Sequence, residues 1–189
     1  LSEKGVVKIH DGWSYEEAAC LPCAATTAWS GLMRFGQLQK GDWVLIVGTG
    51  GVATFALQIA VAAGAKVAIV SSSDAKLARA KELGATVAVN YSKVKEWGAA
   101  VKEATGGGVQ HAIELGGQGT LAQSIAALGI GGHVAMIGAL AGFGGEIPGF
   151  AMVMGALRVS AIVVGPRAAH VDCADFLAKH GLKPVIDST

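Results

Sequence analysis

Residues 42–63 read Asp42-Trp-Val-Leu-Ile-Val-Gly-Thr-Gly-Gly-Val-Ala-Thr-Phe-Ala-Leu-Gln-Ile-Ala-Val-Ala-Ala63. The apolar run Trp43–Val47 predicts a buried strand that stops at Gly48. Gly48, Gly50 and Ala53 then form a Gly-x-Gly-x-x-Ala turn. A helix opens at once, with Val52, Phe55, Ala56, Ile59, Ala60 and Ala63 on its apolar side. A bare glycine match says little. Strand, glycine turn and helix in this order is the context that gives it physical meaning. Gly48 permits the tight turn, Gly50 lets backbone approach a pyrophosphate, and Ala53 lets the helix lie close to the strand. Exposed N–H groups and the positive end of the helix dipole would face the phosphates.

Outward from this unit the pattern repeats. Strands are expected at 66–70, 86–89, 109–115, 133–137 and 159–164. Ser14-Tyr-Glu-Glu17 has the form of a capping box opening a short helix. Further helices are expected at about 23–35 and after Ser71-Ser-Ser-Asp74, the latter stopping at Gly84. Another has Val94, Trp97 and Val101 on one face. Leu121, Ile125 and Leu128 mark a helix closed by Gly129, and a last one spans about 168–179. Strands alternating with helices at this spacing mean βαβ units with right-handed crossovers. The fold class is therefore α/β: a doubly wound, mostly parallel six-stranded Rossmann sheet with helices on both faces, in the order 3-2-1-4-5-6. Residues 1–40 read as N-terminal linker and helices, and 41–189 as the dinucleotide-binding domain.

The 189 residues suffice for one substantial core. With 52% hydrophobic and 15% charged residues the chain is globular rather than disordered. A net charge of +1 gives no electrostatic footprint for nucleic acid. The apolar stretch 125–145 could be mistaken for a membrane span. Its glycines at 129, 131, 132, 138, 142, 144 and 145 divide it, and a strand buried on both faces is expected to be uniformly apolar. No signal-peptide pattern opens the chain and no initiator Met precedes Leu1, which suggests a processed or excised piece. Three cysteines, Cys20, Cys23 and Cys173, suggest free thiols in a reducing compartment, hence the cytoplasm.

The second strand bears on the cofactor. An acid at its end would bind a ribose 2′-hydroxyl and favour NAD. This chain has Ser71, Ser72, Ser73 and Lys76 there. Hydroxyls and an ammonium accept a 2′-phosphate that a carboxylate would repel. A hydrogen bond with one charged partner contributes roughly 1.5–3 kcal/mol, and about 1.4 kcal/mol is tenfold in affinity. The expected cofactor is NADP (as NADPH), preferred over NAD at least about tenfold.

These motifs add up with others: Leu21-Pro-Cys-Ala-Ala-Thr-Thr-Ala-Trp29, Gly48-Thr-Gly-Gly-Val52, Ser71-Ser-Ser-Asp-Ala-Lys76, Lys81-Glu-Leu-Gly-Ala85, Asn90-Tyr91 and Ile137-Gly138. Together they resemble the medium-chain dehydrogenase/reductase superfamily, in its zinc-type alcohol dehydrogenase-like and quinone oxidoreductase-like branches. The resemblance covers essentially the whole chain. It implies a two-domain enzyme of which this chain is the Rossmann piece, the GroES-like catalytic domain lying outside it. By the same resemblance Thr27 lies in the helix approaching the nicotinamide, and Thr49, Gly50, Gly51 and Val52 hold the pyrophosphate. Ser71, Ser72, Ser73 and Lys76 hold the 2′-phosphate, with Tyr91 beside the adenosine. Gly116 lies near ribose, while Gly138, Ala139, Leu140 and Val164 offer backbone groups to the carboxamide. The edge strand 159–164 is the implied homodimer surface, and an apolar edge strand invites pairing on physical grounds too.

Other residues read more plainly. Cys23 is implied as a ligand of the catalytic metal in zinc-dependent members. One Cys-x-x-Cys, from Cys20 to Cys23, falls short of the four ligands a structural zinc wants, and a small buried residue is the ordinary role for Cys23. Catalytic residues are not identifiable in this chain. His111 and His133 are expected as satisfied strand residues. Glu114 ends the fourth strand, where ribose contact and a structural role are equally open. Trp13, Trp29, Trp43 and Trp97 read as packing residues. The expected activity is hydride transfer between a nicotinamide cofactor and a small molecule, an alcohol/carbonyl or quinone/enone. A free-standing NADP-sensing regulatory module is the alternative. A methyltransferase is disfavoured because Ser71 stands where it wants an acid.

Overall fold

The computed structural model describes residues 2–140, 142 and 147–186. Six strands, β1 (Trp43–Val47), β2 (Lys66–Ser71), β3 (Val87–Asn90), β4 (Val109–Glu114), β5 (Leu128–Met136) and β6 (Arg158–Ala161), form one sheet in the order β3-β2-β1-β4-β5-β6. Every neighbouring pair is parallel. The strand order reverses between β1 and β4, where Val44 pairs with His111 and Ile46 with Ile113. In such sheets ligands bind outside the carboxyl ends of the strands at that reversal.

Helices α1 (Tyr15–Ala19), α2 (Thr26–Trp29), α3 (Gly51–Ala62), α4 (Asp74–Glu82), α5 (Trp97–Ala104), α6 (Leu121–Ala126), α7 (Gly149–Met154) and α8 (Arg167–Lys179) complete the fold. Alternation along β1 divides the core. Val44 and Ile46 face α2, α3, α4 and α8, while Leu45 and Val47 face α5 and α6. All four are buried, so each side chain removes enough apolar surface from water to contribute roughly 1.5–3 kcal/mol. Trp29 and Trp97 are buried, and Trp29 packs against Phe176 at 5.1 Å between ring centroids.

Local signals are realised closely. Ser14 and Glu17 exchange both bonds of the capping box. Ser73, rather than Asp74, caps α4 through Lys76 N–H. Four expectations need correction. The helix expected at 23–35 belongs to a longer run, 21–35, that is α only over Thr26–Trp29 and π-wound on either side. Leu128 starts β5 rather than ending α6. The register jumps from Val109–Leu128 to His111–His133, because 129–132 bulge out with Gly131 at φ +75°. The sixth strand stops at Ala161 rather than 164: Ile162 N–H still reaches Met136 O at 2.9 Å, but Val164 adopts φ +56°, outside the strand range. Helix α7 was not foreseen: its apolar residues Phe150, Val153 and Met154 face solvent, so no polar face marks its period. The expected dividing glycines at 144 and 145 lie outside the described residues. Among the described residues no helix is long and apolar enough to cross a membrane.

Candidate functional site

The glycine turn leaves β1 while still tied to β2: Gly48 N–H donates to Val70 O at 2.8 Å with φ +95°. That left-handed conformation is open to glycine at no steric cost. Gly50 is extended (φ −82°, ψ −170°) and precedes α3, whose first turn no side chain caps. A helix start leaves its first N–H groups without intrahelical partners. A Cβ built on Gly48 or Gly50 would meet nothing within 4 Å, so open space lies beside these two residues. Thr49 and Val52 are half-buried, while Gly51 crosses close to Ala24 (3.6 Å from a built Cβ).

Beside the turn is a cleft of about 350 Å³, walled by Thr49, Gly50, Gly51 and Thr54 on one side and by Lys76 and Arg79 on the other. The glycine turn and α4 thus share one space. Ser71 is buried and accepts from Ser73 N–H at 3.4 Å, whereas Ser72 is exposed. Tyr91 is exposed at the end of β3 and its N–H reaches Ser71 O at 3.1 Å. Arg79 escaped sequence reading. Its signal was present, since it follows Lys76 by three residues on the same helix. Arg79 is paired with Glu82 through Nη1 and Oε2 at 2.7 Å, while Asp74 is engaged on the β3 side. It accepts from Asn90 Nδ2 at 2.8 Å and pairs with Lys93 Nζ at 2.6 Å, and the Asn90 bond followed by Lys93 holds its carboxyl below the usual range.

The other rim lies beyond β4 and β5. A cavity of about 260 Å³ is lined by Gly117, Leu121, Met136, Ile137, Gly138, Ala139, Ile162 and Val163 among others. Gly138 has no room for a side chain: a Cβ would stand 2.2 Å from Leu115 O. Leu140 is 91% exposed and outside that lining. Val164 follows the lining residue Val163 in a left-handed conformation that a β-branched residue rarely adopts, a strain of about 1–3 kcal/mol. Gly116 N–H is committed to Glu114 Oε1 at 2.7 Å. Thr27 is buried in α2 and its hydroxyl donates to Cys23 O at 2.7 Å. Sequence reasoning left Glu114 open. The structure encloses it completely, with the donors of Gly116, Gly117, Thr120 and Ser124 around its carboxylate.

Two further observations bear on chemistry. Cys23 is exposed rather than buried, and Cys20, Cys23 and Cys173 are free. Among the described residues no three His, Cys, Asp or Glu side chains converge as metal ligands. The described residues do not compose a zinc site. At the opposite end of the sheet, His111 Nε2 meets Asp42 Oδ2 at 3.0 Å, while His133 is fully buried with neither ring nitrogen partnered. The expectation of a satisfied histidine thus fails at His133. Burial, then Arg158 and His111, push its pKa down to about 4.

An open glycine turn at the switch point of a parallel doubly wound sheet, with cations across the cleft, defines a nucleotide-binding Rossmann domain. The family model for zinc-binding dehydrogenases matches residues 51–179, and the chain belongs to that family. It is 45% identical over 184 residues to a zinc-type alcohol dehydrogenase-like protein of Schizosaccharomyces pombe, covering 92% of this chain and 52% of that protein. The structure of an NAD-dependent alcohol dehydrogenase superposes with TM-score 0.90 at 31% identity, covering 98% of this chain and 54% of the other. A quinone oxidoreductase of Pseudomonas syringae pv. Tomato DC3000 superposes at 0.87 with 28% identity, covering 100% and 60%. The chain spans about half the length of the relatives it matches. The resemblance to zinc-type alcohol dehydrogenase-like and quinone oxidoreductase-like proteins is thereby borne out, and with it the α/β Rossmann class.

Proposed function

We propose that the chain is the NADP(H)-binding domain of an oxidoreductase that moves hydride between the nicotinamide and an alcohol/carbonyl or quinone/enone substrate. The observation that carries this reading is the shared cleft beside the glycine turn. Thr49, Gly50 and Gly51, at the uncapped start of α3, line it together with Lys76 and Arg79, and Asp74 is tied up by Asn90 and Lys93. Uncapped amides at the start of a twelve-residue helix suit a diphosphate. Ser71, Ser72, Ser73 and Lys76, now with Arg79, form the corner for a 2′-phosphate. Tyr91 stands by the adenosine. The rim at Gly138, Ala139, Leu140 and Val164, approached by Thr27 and Gly116, serves the nicotinamide end.

The cofactor supplies the hydride. The chain's share is to hold it in one orientation against a substrate and to exclude water, which is where proteins contribute to cofactor chemistry. Pre-set backbone groups on one rim select the nicotinamide face that is presented. The substrate and the remaining catalytic groups are assigned to the portion of the protein that its relatives have and this chain does not span. We assign the protein to the cytoplasm. A homodimer would form through β6 and α7, where Phe150, Val153, Met154 and Val163 are exposed beside the sheet edge. A sedimentation experiment tests this: a monomer at every accessible concentration rejects the dimer.

Calorimetric titration of the chain with NADPH and NADH tests the central reading. Binding of both, with NADPH at least about tenfold tighter, is the expected result. Equal affinities reject the 2′-phosphate corner, and no heat from either nucleotide rejects the cofactor function.

A further inference from the structure

A fully buried carboxylate is costly unless its lone pairs are met. Glu114 forms no ion pair among the described residues. Its compensation is a set of four donors. Gly116 N–H (2.7 Å), Gly117 N–H (3.0 Å) and the Thr120 hydroxyl (2.5 Å) reach Oε1, and the Ser124 hydroxyl reaches Oε2. Hydrogen bonds to an ionised acceptor are the strong class. All four donors belong to the loop after β4 and the helix it enters. The backbone carbonyl of Glu114 takes Ile137 N–H (2.9 Å) and Gly138 N–H (3.1 Å). One residue therefore fastens both chain segments that leave the sheet at this rim.

The two segments meet at Gly117. A Cβ there would lie 2.5 Å from Gly142 O and 2.9 Å from Ala139 Cα, and Gln118 N–H donates to Gly142 O at 3.0 Å. The cavity of about 260 Å³ has Gly117, Leu121, Gly138 and Ala139 in its wall, while the Glu114 side chain is behind that wall. We propose that Glu114 is a positioning residue. Its carboxylate latches the 115–120 loop in the shape that builds the nicotinamide-end cavity, acting through Gly117 and touching no ligand. This rests on the cofactor reading above.

The test compares whole NADPH with 2′-phospho-ADP-ribose, which has the adenosine, 2′-phosphate and diphosphate but no nicotinamide. E114L should weaken NADPH about tenfold and leave 2′-phospho-ADP-ribose unchanged. E114Q keeps an oxygen for the three-donor side and can donate to the Ser124 hydroxyl, so it should restore NADPH to within about threefold of wild type. Equal weakening of both nucleotides by E114L, or of neither, overturns the positioning role. If E114L does not fold, G117A serves: it forces the two loops apart with the carboxylate intact, and the same split is expected. Amide hydrogen exchange without nucleotide gives an independent arm. E114L or G117A should speed exchange across 115–120 and 137–140 and leave 48–54 at wild-type rates; a uniform increase makes Glu114 an ordinary core residue and rejects the latch. A wild-type chain that binds neither nucleotide removes the cofactor reading, while the exchange pattern still decides whether Glu114 organises this rim.

Discussion

At the end of β1 no side chain caps the first turn of α3, and a Cβ on Gly50 would project into empty space. At the end of β4 one carboxylate gathers four donors, and the two glycines bound to it are hemmed in, Gly116 by the Thr120 side chain and Gly117 by backbone of Gly142 and Ala139. The same topological event, a strand passing into a helix, is finished in opposite ways. Where donors stay unsatisfied, the acceptor must come from outside, and an anion suits best. Where they are satisfied internally, the surface offers shape and carbonyl groups instead of positive potential. A dinucleotide with an anionic centre and, at one end, a ring that is neutral when reduced and cationic when oxidised fits that division of labour.

The comparison breaks first at the glycine turn. Gly48→Val places a β-branched side chain at φ +95° and fills the space beside the turn. Strain of about 1–3 kcal/mol should lower stability, and lost access to the turn should cost about 4 kcal/mol of nucleotide affinity, a thousandfold, in a fluorescence titration. Retained binding would show that the open end is not where the ligand sits.

Acid offers the next largest effect and acts at neither rim. An imidazole in the unfolded chain protonates near 6.5, whereas His133 in the folded protein does so at about 4. Between these values the unfolded state binds more protons, so stability is full above about pH 6.5 and drains as pH falls toward 4. The loss should reach roughly 3 kcal/mol in denaturant titrations. His133→Leu, which removes two unpartnered ring nitrogens, should flatten that dependence. An unchanged pH slope in the variant would acquit His133.

Ser71→Asp sharpens the contrast at the first rim. A carboxylate there should lower NADPH affinity about tenfold and spare NADH, read as the ratio of two dissociation constants. Loss of both equally would place the 2′-phosphate elsewhere. The smallest effect is expected at the second rim, where Val164→Gly relieves the left-handed strain. It should raise the free energy of unfolding by about 1 kcal/mol, visible as a higher Tm.

Sequence alone carried the first rim much further than the second. Gly48, Gly50 and the Ser73 cap are local devices, spelled within a few residues. Residue type alone did not separate Ser71 from Ser72, because burial of the one and exposure of the other depend on packing around β2. The latch at Glu114 is spelled more diffusely: an acid ending a strand, two glycines, then hydroxyls at 120 and 124 on one helical face. Those spacings become meaningful only once α6 folds back over β4. The bulge at 129–132 was hidden because Leu128 fits a helical stripe as well as a strand, and the register shift is decided by pairing with Val109. Nothing in Val164 itself announces a positive φ.

Pairing of Val44 with His111 along the seam between β1 and β4 has a kinetic consequence. The unit from β1 to β3 closes through neighbours in the chain, but the seam requires a long stretch of polypeptide to be gathered first, a slow entropic step. The two rims flank that seam, the first lined, Val185 aside, by the β1–β3 half and the second by the β4–β6 half, so they face one another only once the halves dock. A molecule spanning it would act as a clasp, slowing separation of the halves and protecting amides in both at once.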